Sequence, residues 1–189
     1  MGVDVMHVSR RAFLRTSLRG GGATAAALLL PRRVWAQARS DVVVVTMTSD
    51  DIGSVVNFSP SGLLIKPGQT VRWECKANVH TTTAYHPDND KHSLRIPEGA
   101  KPWNSDYLMP GETFEVTFTA EGVYDYFCAP HEMAGMVGRI IVGKPAGPGT
   151  RPFDYFKNDA SKRDWQEVPK IAQDAFPKID EIMKKGKVG

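Results

Sequence analysis

Cysteine is scarce in this 189-residue chain: there are two, Cys75 and Cys128, so at most one disulfide could form. Long apolar runs are missing as well. The N-terminal candidate, Gly20–Leu30, is weakly apolar and about half the roughly twenty residues that a membrane-spanning helix needs. A net positive charge is missing from most of the chain. The whole sequence holds 24 Lys and Arg against 21 Asp and Glu, a net of +3. Six of those arginines (Arg10, Arg11, Arg15, Arg19, Arg32, Arg33) and one acid, Asp4, lie in residues 1–38, and setting them aside leaves 18 basic against 20 acidic residues, a net of −2. Nothing in that balance points to nucleic acid. There is no internal repeat, no low-complexity segment, and no amphipathic helix between the strand-like stretches of residues 41–142.

The basic N-terminal segment has its own organisation. Ser9-Arg10-Arg11-Ala12-Phe13-Leu14-Arg15 resembles a twin-arginine export motif, the short stretch Gly20–Leu30 follows, and Ala36-Gln37-Ala38 supplies small residues at a cleavage spacing. Residues 1–38 therefore read as a signal peptide rather than a retained anchor. The expected location is periplasmic or otherwise exported, with no stable membrane insertion after cleavage.

The next hundred residues carry strand signals. Asp41–Thr48 is a β-branched run; Leu63-Leu64-Ile65 ends in a Lys66-Pro67-Gly68 turn; Val71, Trp73 and Cys75 alternate with Arg72, Glu74 and Lys76. Pro110-Gly111 marks another turn, Phe114, Val116 and Phe118 alternate with polar neighbours, and Val123–Cys128 and Val137–Val142 close the region. Short strands with turn signals about every ten residues predict an all-β, antiparallel Greek-key β-sandwich over residues 39–144. Ala77–Leu108, polar and rich in His, Asp, Asn and Pro, reads as an irregular excursion.

The chemistry gathers where a predicted strand ends. Cys128-Ala129-Pro130-His131-Glu132-Met133-Ala134-Gly135-Met136 offers a thiolate, an imidazole three residues on and a thioether five further, on a loop between two strands. Two His and one Cys with a weak axial Met make a blue-copper site, and this loop supplies all but one His. Met136 is preferred to Met133 as the axial group, because Met133 follows His131 too closely for the chain to turn beneath a metal.

Tyr126-Phe127-Cys128-Ala129-Pro130-His131 followed by Ala134-Gly135-Met136-Val137-Gly138 resembles the copper loop of plastocyanin-like cupredoxins, and the resemblance runs from about Asp41 to Gly143. It implies a cupredoxin-like fold holding one type 1 copper per chain, with His80, Cys128, His131 and Met136 as ligands. His80 follows its strand directly, seven residues after Trp73, and is preferred to His86 and His92. A second metal site built from His86, Asp88, Asp90 and His92 is the less favoured reading of a solvated loop. Cys75 shares the apolar face of Val71 and Trp73 and reads as a buried, inert thiol; pairing it with Cys128 would remove the copper thiolate.

Four protein ligands leave no open position for a substrate, so the expected role is electron carriage and not enzymatic catalysis. The expected partner is a redox protein such as a c-type cytochrome or a periplasmic reductase or oxidase. A periplasmic copper chaperone or store is the alternative. Gly143–Gly149 reads as a linker-like break, and residues 145–189 as linker and helical extension. Trp165, Val168, Ile171, Ala172, Ala175, Ile179, Ile182 and Met183 recur at helical spacing, with Pro169 and Pro177 dividing them into two short helices. That extension is expected to pack on the sandwich, away from the copper loop.

Overall fold

A computed structural model of the chain describes residues 42–50 and 52–189. The signal-peptide reading of residues 1–38 lies outside the described residues. Among them the strands are β1 (Val42–Ser49), β2 (Val56–Ser59), β3 (Gly62–Ile65), β4 (Thr70–Cys75), β5 (Thr83–Ala84), β6 (Thr113–Thr117), β7 (Gly122–Phe127) and β8 (Val137–Val142), followed by helices α1 (Lys170–Ala175) and α2 (Ile179–Lys185) and a last strand, β9 (Lys187–Val188). They form two sheets, ordered β2-β1-β4-β6 and β5-β7-β8-β3-β9. The all-β sandwich is as expected, but two pairings, β1 with β4 and β3 with β8, are parallel where antiparallel neighbours were predicted. Strands adjacent in space there are distant in sequence, because the chain crosses between sheets before it returns, and such a return fixes direction independently of any hairpin.

The inner faces of both sheets meet in one core: Val45, Met47, Val71, Trp73 and Cys75 from the first sheet, and Leu63, Ile65, Tyr124, Tyr126, Ile140 and Val142 from the second. The alternation in β4 and β6 is that of half-buried strands. By contrast, every residue of β7 and β8 is buried. Tyr124 and Tyr126 face the core, whereas Val123 and Phe127 face outward into two further apolar clusters that the C-terminal segment completes.

Both predicted helices form, and proline sets their limits. Phe176, which precedes Pro177, is extended (φ −63°, ψ 132°), which stops α1. Gly186 adopts φ 75° and donates its N–H to the Ile182 carbonyl, closing α2. Helix α2 buries Ile182 completely against Val123 and Ile141. The approach is close enough that a Cβ on Gly62 would lie 2.7 Å from the Ile182 side chain. Strand β9 then pairs with β3 and completes that sheet edge. Trimming Ile182 to valine should therefore lower stability by about 0.5–1.5 kcal/mol, read as a shifted urea midpoint at constant slope. A variant as stable as the parent would mean that α2 does not anchor there.

The extension does pack on the sandwich, but not away from the loop after β7. A Cβ on Gly135 would meet the Ala175 Cβ at 3.2 Å and the Ile171 carbonyl oxygen at 3.6 Å, so α1 abuts that loop. The cause is the outward face of Phe127. Covering it recruits Ala172 and Phe176, and Phe127 is the residue directly before the loop begins.

Candidate metal centre

Strand β7 delivers Cys128 in extended conformation (φ −98°, ψ 115°). Pro130 then tightens residues Ala129–Ala134 into 3-10 turns, and Gly135, at φ 80°, turns the chain back into β8. Backbone bonds close the loop on itself: His131 N–H donates to the Cys128 carbonyl (3.0 Å), Met136 N–H to the His131 carbonyl (3.1 Å) and Cys128 N–H to the Met136 carbonyl (3.0 Å). His80 comes from the excursion after β4. It is held by a two-bond bridge to Leu108, with N···O distances of 3.2 and 2.8 Å.

These elements bring His80, Cys128 and His131 together. The Cys128 Sγ lies 3.6 Å from His80 Nδ1 and 3.3 Å from His131 Nδ1, and all three donor atoms lie within 4.8 Å of one another. Among the described residues this is the one group of three or more His, Cys, Asp or Glu able to converge on an ion. His80 and Cys128 are fully buried; His131 is half-buried beside exposed Ala129 and Pro130. Met136 is buried in the same core cluster as Cys128, whereas Met133 is 71% exposed. His86 pairs with Asp88 at 3.5 Å and His92 is engaged elsewhere, so the residues of the alternative second site do not gather. Cys75 and Cys128 are both free thiols, and Cys75 is buried against the Asn78 carbonyl.

The electrostatics suit a cation. Burial pushes the Cys128 thiol up to about 11, against the lowering effect of hydrogen bonds from the Thr81 and His131 backbone. A metal must therefore displace a proton there, as thiolate ligation requires. Burial lowers His80, helped by neighbouring His131, and burial also lowers His131, so both rings are neutral with lone pairs to donate. One soft sulfur and two neutral imidazoles are a donor set that copper accepts in both oxidation states.

Two sets of supporting contacts were not anticipated in the sequence, although His92 was weighed there as a metal ligand. Thr81 donates its backbone N–H to the Cys128 Sγ at 3.3 Å, and its Oγ1 accepts the Ala129 N–H at 2.8 Å. Its place immediately after His80 was the available signal. The second set is Glu132 with Tyr85 and His92. Tyr85 donates to Glu132 Oε1 at 2.6 Å, and His92 Nε2 faces Oε2 at 3.4 Å. Burial, then the Glu132 charge, holds the Tyr85 hydroxyl well above its usual range, so it stays a donor.

His92 shows opposing influences. Burial pulls its pKa down, but the Glu132 hydrogen bond, the Asn89 carbonyl and the charges of Glu132 and Asp90 outweigh that and leave it raised above 6.5. Both ring nitrogens face acceptors, Nδ1 toward the Asn89 oxygen at 2.7 Å, so the charged ring satisfies both. A histidine raised by folding contributes fully below its unfolded pKa and loses that contribution as pH rises through its folded one. The melting-temperature gap between the parent and His92→Gln should thus be widest near about pH 5.5 and shrink by about pH 8.5. A gap independent of pH would mean that the ring is not charged.

A family model described as copper binding proteins, plastocyanin/azurin family, matches residues 43–143. Plastocyanin from Scenedesmus fuscus is 38% identical over 96 residues, covering 49% of this chain and 91% of that protein. Pseudoazurin from Methylorubrum extorquens is 32% identical over 108 residues, covering 56% of this chain and 65% of that protein. Chloroplastic plastocyanin from Oryza sativa subsp. indica is 35% identical over 94 residues, which span only 57% of its length. The crystal structure of pseudoazurin from Methylobacterium extorquens AM1 superposes with a TM-score of 0.53 at 25% identity, covering 77% of this chain and 98% of that one.

Proposed function

The chain belongs to the plastocyanin/azurin family of copper-binding proteins, with copper as its metal, and on that premise we propose that it is an exported carrier of single electrons between redox proteins. The observation that carries this reading is the convergence of the His80, Cys128 and His131 donor atoms within 4.8 Å of one another. In it His80, Cys128 and His131 would bind the ion, and Met136, buried in the same cluster as Cys128, would be the fourth, weaker donor. Copper held there supplies one-electron exchange between Cu(II) and Cu(I). The loop's internal hydrogen bonds keep the donors in one arrangement. The Thr81 N–H eases the charge on the Cys128 sulfur and so contributes to setting the potential.

His131 is the side open to a partner. Exposed Pro130, Met133 and Ala134 surround it with small or apolar surface, suited to brief docking of a redox protein such as a c-type cytochrome or a periplasmic reductase or oxidase. With four protein donors there is no open position for a substrate, which favours a carrier over an enzyme. A copper chaperone or store would offer its donors for exchange, and the full burial of His80 and Cys128 works against that. Residues 1–38 direct export in this reading, and no helix among the described residues is long and apolar enough to cross a membrane.

Titration with Cu(II) tests the proposal. One equivalent should develop an intense blue or green thiolate-to-copper band that bleaches on reduction, and a colourless Cu(II) protein would overturn it. Met136→Leu should keep the colour and raise the reduction potential, because a weak donor to Cu(II) is lost. Met133→Leu should leave the potential unchanged, and the reverse pattern would move the axial role to Met133.

A further inference from the structure

Glu132 stands between His131 and Met133 in the loop, yet its side chain turns inward and is only 13% exposed. A carboxylate taken out of water is unfavourable unless donors replace the lost hydration. Two do so here, and both belong to the excursion after β4 and not to the copper loop. Tyr85 is fully buried, and its backbone is bonded to Asp125 and Arg95, with N···O distances of 3.1 and 2.9 Å. Its ring packs 4.5 Å from that of Phe127. The His92 ring stacks on Phe127, 4.4 Å away at 30°, and meets the Tyr85 ring edge-on at 5.6 Å. Glu132 therefore ties the turn carrying His131 to two buried side chains that pack on the residue directly before Cys128. The 2.6 Å hydroxyl-to-carboxylate bond is in the range of strong, charge-assisted contacts.

We propose that Glu132, gripped by Tyr85 and His92, is a positioning residue that holds the His131 ring against Cys128 whether or not metal is bound. This inference rests on the ligand reading above. The role assigned to Glu132 is that of an acceptor aimed at Tyr85. Its negative charge near the metal is a separate effect with a different signature. Glu132→Gln removes the charge but keeps an oxygen for the Tyr85 hydroxyl; Tyr85→Phe keeps the charge but removes the donor; Glu132→Ala removes both.

The test measures copper affinity, the electron paramagnetic resonance hyperfine pattern and the ratio of the visible bands in the full chain, with melting of each metal-free variant as the control for folding. Glu132→Ala and Tyr85→Phe should each weaken copper binding by about 10- to 100-fold and broaden the spectra, with Glu132→Gln restored to near the parent. If Glu132→Gln matched Glu132→Ala while Tyr85→Phe matched the parent, the effect would be one of charge and the positioning role would fall. The same holds if all three variants bound copper and gave spectra like the parent. A parent chain with no thiolate band would instead overturn the ligand reading itself, so the two failures are distinguishable.

Discussion

Cys128→Ala should give a folded protein with no thiolate-to-copper band at any Cu(II) concentration. The sandwich does not depend on this side chain, since its core is built by Trp73, Tyr124, Tyr126, Ile140 and their neighbours across both sheets. The colour does depend on it, because a thiolate is the one donor in the set with an electron pair high enough in energy for intense visible charge transfer to Cu(II). His80 and His131 would remain, so weak binding of a nearly colourless ion is the expected residue of the site. The far-ultraviolet circular dichroism should match that of the parent. Cys75→Ala is the companion variant and should stay coloured, because the Cys75 thiol turns to the Asn78 carbonyl at 3.3 Å and lies outside the converging group. A colour that survived Cys128→Ala and vanished in Cys75→Ala would exchange the roles of the two thiols.

The largest loss of stability should come from a residue outside the metal centre. Asp125 lies in the middle of β7, fully buried, between Arg95 and Arg139. Its carboxylate accepts from Arg95 Nε at 3.0 Å and from Arg139 at 2.7 and 3.0 Å. The remaining guanidinium donors reach the carbonyls of Gly149, Arg151 and Pro177. The two cations also lie over the Phe153 and Phe176 rings, at 4.2 and 4.8 Å. Two buried cations thus share one anion between the sheet and the C-terminal extension. Asp125→Asn preserves the shape and removes the charge, leaving both guanidiniums uncompensated. Such a break destabilises by about 3–5 kcal/mol, visible as a large drop in the denaturant midpoint. A change below about 1 kcal/mol would mean that the carbonyls and rings alone satisfy the arginines. Since the two guanidiniums that Asp125 fixes also hold carbonyls of the extension, partial release of that segment should accompany the loss.

The site was readable to the extent that it is local in sequence. Cys128 and His131 share one loop, so their spacing already suggested the approach seen in the structure, and His80 was placed by the strand that leads to it together with the family resemblance. Glu132 could not be recognised in the same way. An acid in a polar loop reads as solvated, and only the folded excursion from Tyr85 to His92 shows that it points inward. The extension illustrates a similar limit. Helical spacing and the two prolines located α1 and α2, because those signals act within a few residues.

Sequence by itself therefore determined the elements and the grouping of candidate donors: alternation in β4 and β6, the loop from Cys128 to Met136, and the breaks at Pro169 and Pro177. Tertiary structure decided the parallel pairing of β1 with β4 and of β3 with β8, the placement of α1 beside the copper loop, and the fate of the charges on Asp125, Arg95 and Arg139. Local signals report whether one face of a segment is apolar. In β7 and β8 both faces are covered, one by the core and one by the extension. Which surface covers a second face depends on where distant chain returns. A charge in such a strand reads as solvent-facing until its burial partner, some fourteen or thirty residues away, is in place.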